Sequence, residues 1–152
     1  KPQRPAAELM GATGRIMVVE DAADVRRVVA GQLRALGFDV ISAPDGAAAL
    51  RMLREGTEVE LLLSDLVMPG DLQGPDLAEL VWAEGHVDRI LFMSGYPEGA
   101  RRGAEGRPLW APILQKPVSI NALAEAVERA LTGPPVEMEV TEDRPRPSHG
   151  TA

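Results

Sequence analysis

The chain has 152 residues, a net charge of −7 and no cysteine. Its length predicts a single domain with a sizeable hydrophobic core, and the missing cysteines exclude a disulfide framework, a thiolate zinc site and a cysteine nucleophile. The negative charge argues against a surface that binds nucleic acid. Because His86 and His149 are the only histidines, a histidine-based catalytic triad or metal site is not expected.

The two ends of the chain lack the apolar periodicity of folded segments. Residues 1–14 are predicted to be a linker or a disordered segment, residues 15–132 the domain, and residues 133–152 a disordered tail. No stretch has the length and apolar character of a membrane span or a signal peptide, so we expect a cytoplasmic protein without membrane insertion. Because the chain begins at Lys1 rather than methionine, we expect a processed, excised or engineered segment, of which one cut from a longer protein is an example.

Within the domain, short apolar runs alternate with amphipathic stretches. The apolar runs predict five strands, at residues 16–19, 38–42, 59–64, 90–93 and 113–115. After the first strand, apolar residues at helical spacing predict a helix from Val25 to Leu36, which Gly37 terminates. Asp45 is predicted to cap the second helix, and Pro75 suits the first turn of the third.

The last helix is predicted to begin at a cap formed by Ser119 or Asn121 and to end at Gly133. The segment 97–108 contains three glycines and lacks an apolar stripe, so a helix around residues 100–104 would be short and marginal. Strands that alternate with helices in this way predict an α/β domain whose parallel sheet is covered by helices on both faces.

Polar side chains follow the ends of four predicted strands. Glu20 and Asp21 follow the first strand, Asp65 ends the third, Ser94 the fourth and Lys116 the fifth. Because right-handed crossovers bring the carboxyl ends of parallel strands to one edge of the sheet, these side chains should converge there. Each residue alone is better explained as a helix cap, a turn residue or a solvated charge, but their joint placement is a rarer coincidence.

Three converging carboxylates repel each other unless a cation offsets their charge. Mg²⁺ prefers such oxygen ligands together with a phosphate oxygen, and Mn²⁺ is the alternative metal. We therefore predict a site for phosphoryl transfer, a reaction that needs mainly positioning and charge stabilisation. Asp65 would be the nucleophile that forms an aspartyl phosphate, and Ser94 and Lys116 would contact the phosphoryl oxygens.

With these motifs the sequence resembles the receiver domains of response regulators in two-component signalling. The resemblance covers residues 15–132 and rests on four motifs in the family's order and spacing: Val18-Val19-Glu20-Asp21, Asp65-Leu66-Val67-Met68-Pro69-Gly70, Met93-Ser94-Gly95-Tyr96 and Gln115-Lys116-Pro117. It implies a flavodoxin-like, doubly wound sheet of five parallel strands in the order 2-1-3-4-5. The third motif is similar to that of receivers in hybrid histidine kinases and of stand-alone receivers.

The resemblance also implies a role for each site residue. Asp65 accepts a phosphoryl group from a phosphohistidine of a histidine kinase or a histidine phosphotransfer protein. Asp21, Asp65 and the backbone carbonyl of Val67 bind Mg²⁺, while Glu20 acts through a metal-bound water. The peptide bond before Pro117 is cis in such domains. The phosphorylated domain then changes conformation and signals to a downstream protein or to a second copy, so the chain would be a switch rather than an enzyme.

Several positions depart from the family pattern. Ile113 stands where many receivers carry an aromatic switch residue, and Tyr96 is the alternative switch. Glu20 replaces the commoner aspartate, and the loop after the third strand is one residue longer than the commonest form. Val67 and Tyr96 lack the carboxylate or amide that orients a water near the phosphoryl group, so slow self-dephosphorylation is expected.

Two rival interpretations use the same fold. The first is a scaffold that no longer phosphorylates, against which the complete set of acidic and lysine residues argues. The second is a phosphohydrolase with an aspartate nucleophile, which usually needs a second acid two residues later, where Val67 stands. A nucleotide site is weaker still, because the sequence 20–23 after the first strand is not a glycine-rich phosphate loop.

Overall fold

The computed structural model describes residues 14–95 and 111–136 of the chain. Within these ranges five strands alternate with four helices, in the order β1 (Arg15–Val19), α1 (Ala23–Ala35), β2 (Asp39–Ala43), α2 (Gly46–Arg54), β3 (Leu61–Asp65), α3 (Gly74–Ala83), β4 (Ile90–Ser94), β5 (Ile113–Gln115) and α4 (Ile120–Thr132). The predicted switch residue Tyr96 and the glycine-containing segment 97–108 lie outside the described residues.

The five strands form one parallel sheet in the order β2-β1-β3-β4-β5. This order confirms the predicted doubly wound α/β fold. The central strands are apolar on both faces and entirely buried from Ile16 to Val19 and from Leu61 to Leu63, because a parallel sheet is enclosed between two layers of helices.

The sheet separates the hydrophobic core into two clusters, one on each of its faces, and helices cover both. Helices α2 and α3 contribute Ala49, Leu50, Leu53, Leu77, Ala78 and Val81 to one cluster. Helices α1 and α4 contribute Val29, Ala30, Leu33, Leu123, Val127 and Leu131 to the other. This packing fixes the loops at the carboxyl ends of the strands relative to one another.

The helix ends follow the predicted chemistry closely. The Asp45 carboxylate accepts a hydrogen bond of 2.8 Å from the backbone N–H of Ala48, and the Ser119 hydroxyl accepts one of 3.1 Å from Ala122. Of the two predicted caps of the last helix, Ser119 is therefore the one in use. Gly37 has a φ of 100° after α1, the left-handed conformation in which glycine terminates helices.

Most strand boundaries lie within one residue of the sequence-based expectation. The start of the third strand and the end of the domain differ by more. The third strand begins at Leu61 instead of Val59, and Val59 is buried by packing against the α2–α3 cluster. Residues 133–136, which we expected to begin a disordered tail, stay against the domain: the Val136 N–H donates to the Asp88 carbonyl at 2.8 Å. The apolar Val136 side chain also packs on the core, which explains the longer folded segment.

In the part of the chain that the structure describes, no helix has the length and apolar character to traverse a bilayer.

Candidate functional site

The register of the sheet brings the predicted site residues to one edge. Val19 pairs with Ser64, which places the next residues of the two strands, Glu20 and Asp65, side by side. Asp65 pairs with Met93 of β4. One position further, Ser94 pairs with Gln115 of β5, and Lys116 follows directly. The four strand ends thus meet at a single place.

Three carboxylates form the centre of this edge. Glu20, Asp21 and Asp65 each offer one oxygen, and these oxygens lie within 4.8 Å of one another. Glu20 and Asp65 are buried, at 1% and 6% exposure, whereas Asp21 is exposed. Hard carboxylate oxygens with one open, solvated side are the donor set that Mg²⁺ takes in proteins, so these residues fit a divalent cation.

Lys116 extends its ammonium group between the two buried carboxylates. Its Nζ lies 2.7 Å from Oε1 of Glu20 and 3.0 Å from Oδ2 of Asp65. Both bonds are charge-assisted and therefore stronger than neutral ones. The peptide bond between Lys116 and Pro117 is cis, the isomer implied by the resemblance.

Burial and the charged neighbours together determine the pKa values of these three groups. Burial raises the pKa of Asp65; the Lys116 ammonium opposes this, but the nearby Glu20 carboxylate adds to it, so the pKa stays above its usual value. Burial also acts to raise the pKa of Glu20, but the hydrogen bonds from Lys116 and the Ala22 N–H outweigh it and lower that pKa. Burial lowers the pKa of Lys116, and its two carboxylate partners overcome that effect and raise it.

Helix α1 holds the acidic loop in place. Nη1 of Arg26 donates to the Glu20 backbone carbonyl at 2.7 Å, and the Ala22 N–H donates to Oε2 of Glu20 at 3.1 Å. The N-cap of α1 is Ala22, and no side chain makes a capping hydrogen bond there. Glu20 therefore holds the loop before the helix instead of capping it, and it contacts Lys116 at the same time.

The loop between β3 and α3 lies directly behind Asp65. The Gly74 N–H donates to the Leu66 carbonyl at 3.0 Å. A Cβ atom on Gly74 would lie 2.2 Å from the Asp65 carbonyl oxygen, closer than any side chain allows. Glycine at this position therefore lets α3 begin against the backbone of Asp65.

Of the remaining predicted residues, Ser94 and Val67 lie in segments that adjoin Asp65, whereas Ile113 lies on β5. Ser94 is buried at the end of β4, and its carbonyl accepts from the Lys116 N–H at 2.8 Å. The side chain of Val67 is 63% exposed. Ile113 packs partly buried against the α2–α3 cluster, two strands' width from Asp65, and Tyr96 lies outside the described residues.

Two residues with clear roles at this edge were missed from the sequence. Arg26 gave no signal beyond its place in the first turn of a predicted helix. Gln73, whose side chain hydrogen bonds to the backbone of the β3–α3 loop, stands directly before Gly74. Glutamine is not a favoured helix-capping residue. Its position directly before the predicted third helix was therefore the feature of the sequence that could have identified it.

The sequence matches the family described as the response regulator receiver domain over residues 16–128. It is 32% identical over 117 residues to the response regulator receiver protein CpdR of Brucella abortus, an alignment that covers 77% of this chain and 96% of CpdR. It is 39% identical over 124 residues to the chemotaxis protein CheY-3 of Vibrio cholerae, covering 76% of this chain and 89% of that protein.

A longer relative and a solved structure point to the same family. The chain is 35% identical over 135 residues to the sensor kinase CckA of Brucella abortus, which covers 86% of this chain but 14% of the kinase. The crystal structure of the receiver domain from the hybrid histidine kinase CckA superposes with a TM-score of 0.62 at 40% identity, covering 78% of this chain and 99% of that one. The alignment thus covers a small part of the Brucella abortus kinase and nearly the whole of the solved CckA receiver domain.

Proposed function

Because this chain belongs to the response regulator receiver domain family, we propose that Asp65 accepts a phosphoryl group from a phosphohistidine in a reaction that depends on Mg²⁺. The observation that carries this proposal is the cluster of Glu20, Asp21 and Asp65 within 4.8 Å, with Lys116 bonded to two of the three. The donor is a histidine kinase or a histidine phosphotransfer protein.

In the proposed reaction a carboxylate oxygen of Asp65 attacks the phosphorus atom of the phosphohistidine. The new O–P bond forms as the P–N bond breaks, and the electron pair of that bond stays on the departing imidazole. The product is an aspartyl phosphate, an acyl phosphate whose three phosphoryl oxygens need positive charge and hydrogen-bond donors around them.

Lys116 and Ser94 are the side chains proposed to meet those oxygens. Lys116 already reaches Oδ2 of Asp65, so a small movement of its ammonium would transfer it from the carboxylate to the phosphoryl group. Ser94 follows the residue paired with Asp65 and shares a backbone hydrogen bond with Lys116. Movement of Ser94 or Lys116 would therefore be transmitted to the other.

The residues proposed to hold Mg²⁺ are Asp21, Asp65 and the backbone carbonyl of Val67, with Glu20 acting through water. When bound, Mg²⁺ supplies the positive charge that offsets the acidic cluster and the incoming phosphoryl oxygens. Exposed Asp21 and Val67 leave the outer side of the cluster open to a phosphorylated partner. We expect Mn²⁺ to substitute, because it takes the same kind of oxygen ligands.

The domain is proposed to act as a switch and not as a turnover enzyme, signalling in the cytoplasm to a downstream protein or to a second copy. Its similarity to part of CckA supports a place in a phosphorelay that includes a hybrid kinase. Phosphorylation would draw Ser94, at the end of β4, toward the phosphoryl group. The scaffold interpretation predicts no covalent change at all.

Intact mass spectrometry tests the proposal. Incubation with Mg²⁺ and acetyl phosphate should add the mass of one phosphoryl group to the wild type, and EDTA should prevent the addition. Asp65→Asn should show no gain, whereas the exposed-site variant Asp71→Asn should gain it as the wild type does. No gain in the wild type, or a gain that survives Asp65→Asn, would overturn the proposal in favour of a scaffold or another acceptor.

A further inference from the structure

The amide side chain of Gln73 holds the loop between β3 and α3 from inside. Its Oε1 accepts a hydrogen bond of 2.9 Å from the Met68 backbone N–H. Its Nε2 donates to the Met68 carbonyl at 2.6 Å and to the Gly70 carbonyl at 3.0 Å. One side chain therefore satisfies three backbone groups of this loop.

The first of these bonds fixes a neighbouring group as well. The Met68 N–H belongs to the same peptide unit as the Val67 carbonyl, and a peptide unit is planar. In a trans peptide the N–H and the C=O point in opposite directions. Because Gln73 holds the N–H on its own side, the Val67 carbonyl must point to the opposite side of the loop.

Packing of the Val67 side chain does not supply this constraint. That side chain is 63% exposed, so the core does not hold the residue. The ends of the loop are fixed separately, by the bond from Gly74 to Leu66 and by the Asp76 carboxylate, which accepts from the Gln73 N–H at 3.2 Å. The flanking side chains of Leu66 and Met68 are buried in the core, and the Gln73 amide adds the hydrogen bond that holds the peptide between Val67 and Met68 itself.

We propose that Gln73 is a positioning residue for the metal site, which sets the direction of the Val67 carbonyl by holding the Val67–Met68 peptide. This inference rests on the proposed function, in which that carbonyl is a Mg²⁺ ligand. Groups that orient metal ligands typically change metal affinity by about 10–100-fold when they are removed. A single backbone ligand is affected here, so we expect the lower end, about 10-fold weaker Mg²⁺ binding.

Gln73→Met is the appropriate variant, because methionine keeps the length of the side chain and removes all three hydrogen bonds. The matched control is Asp76→Ala, which removes the other side-chain contact at the start of α3 and leaves the Met68 peptide held. Asp76 is exposed, and at 0.15 M salt the loss of its charge is screened beyond about 8 Å.

Titration with Mg²⁺ alone, followed through the amide NMR signals of residues 20–22, measures the affinity of each protein. Thermal unfolding in the absence of Mg²⁺ measures stability separately. A second assay measures the rate of phosphorylation by acetyl phosphate as a function of Mg²⁺ concentration. A positioning role predicts that Gln73→Met needs about 10-fold more Mg²⁺ for half-maximal rate and regains most of the wild-type rate at saturation.

The outcomes separate this inference from the proposed function. Weaker Mg²⁺ binding in Gln73→Met, with wild-type affinity in Asp76→Ala, supports the positioning role. Equal affinity in all three folded proteins overturns it while leaving the proposed function intact. Equal weakening in both variants also overturns it, because the effect would then belong to the start of α3. Failure of the wild type to bind Mg²⁺ would instead contradict the proposed function.

Discussion

At the scale of single residues, Lys116 compensates the charge of two carboxylates that the sheet buries. Glu20 and Asp65 are 1% and 6% exposed, and both contact the Lys116 ammonium. Without a cation nearby, two buried negative charges so close together would each cost several kcal/mol by desolvation alone. The lysine therefore has a structural role of its own, independent of the proposed phosphoryl transfer.

Lys116→Met should expose this role directly. The variant keeps an apolar stem and loses the ammonium, so we expect the free energy of unfolding in Mg²⁺-free buffer at neutral pH to fall by about 1–3 kcal/mol. Added Mg²⁺ should restore more stability to the variant than to the wild type, because the cation replaces the lost charge. Urea unfolding with and without Mg²⁺ measures both effects.

The control for that experiment is Arg129→Met, which removes an exposed cation paired with Glu125 on the surface of α4. Exposed pairs of this kind contribute little to stability, so its unfolding curve should stay close to that of the wild type. Similar losses in both variants, or no loss in Lys116→Met, would show that Lys116 does not compensate the buried carboxylates.

We expect Val67 to prolong the lifetime of the phosphorylated state. Its apolar side chain is 63% exposed and cannot orient a water for attack on an aspartyl phosphate. Val67→Asn supplies an amide at this position and should shorten the lifetime several-fold, whereas Val67→Ala should not. Release of inorganic phosphate after removal of the donor gives the lifetime, and a wild-type lifetime of only seconds would contradict the expectation.

At the scale of elements, the close approach of α3 to β3 depends on Gly74. A Cβ atom there would lie 2.2 Å from the Asp65 carbonyl oxygen and 2.9 Å from the Leu66 Cα. Both neighbours are backbone atoms that cannot move aside as a flexible side chain could. The helix can therefore start where it does only with glycine at this position.

Gly74→Ala should reduce the free energy of unfolding by about 2–4 kcal/mol, since overpacking of this kind costs roughly 1–3 kcal/mol and more against backbone. Gly31→Ala is the matched control, because Gly31 lies inside α1 with nothing within 4 Å of the added Cβ. That variant should gain about 0.5–1 kcal/mol from helix propensity. Urea unfolding of the two proteins should thus give shifts of opposite sign.

An ion pair also links the ends of helices α2 and α3 at the amino-terminal edge of the sheet, away from the candidate site. Nε of Arg54 lies 3.0 Å from Oε1 of Glu84, and His86 contacts the same oxygen at 3.0 Å. The hydrogen bond from Arg54 is the main reason that the pKa of Glu84 is lowered to about 2. The free energy of unfolding at acid pH should therefore depend on the pair formed by Arg54 and Glu84.

The sign of that dependence follows from the lowered pKa. A carboxylate with a lowered folded-state pKa stabilises the fold fully above its unfolded-state pKa and loses that contribution as the pH falls to the folded value. For Glu84 the range runs from about 4.5 down to about 2. Thermal melts should show Arg54→Gln slightly less stable than the wild type above this range, with the difference vanishing below it. A difference independent of pH would contradict the role of Glu84.

At the scale of the whole molecule, the sheet and the candidate site at the carboxyl ends of its strands were predictable, because the sequence patterns that indicate them are local. Buried parallel strands are continuous apolar runs, and the runs that end in Ser64-Asp65 and Met93-Ser94 need no long-range information to be recognised. The alternation of strands and helices then determines which strand ends face the same way. Caps such as Asp45 and Ser119 were predictable for the same reason.

Contacts between distant segments were not predictable in the same manner. Lys116 was expected to meet a phosphoryl group, but its bond to Glu20 joins residues 96 positions apart and depends on how both strand ends twist. The Gln73 amide likewise depends on the path of an irregular loop, where many conformations compete. The packing of Val136 on the core could not be predicted, because a single apolar residue in a polar segment has no periodicity.

The central claim is that Asp65 carries the phosphoryl group, and chemical trapping tests it most directly. Borohydride reduces an aspartyl phosphate to homoserine, which marks the acceptor permanently. After incubation with Mg²⁺ and acetyl phosphate, reduction and proteolysis, peptide mass spectrometry should find homoserine at position 65 and at no other acidic residue, and none when EDTA is present. Homoserine at Asp21 or the five-carbon alcohol 2-amino-5-hydroxypentanoic acid at Glu20, in place of homoserine at position 65, would contradict the account. Absence of any reduced residue from the treated protein would contradict it as well.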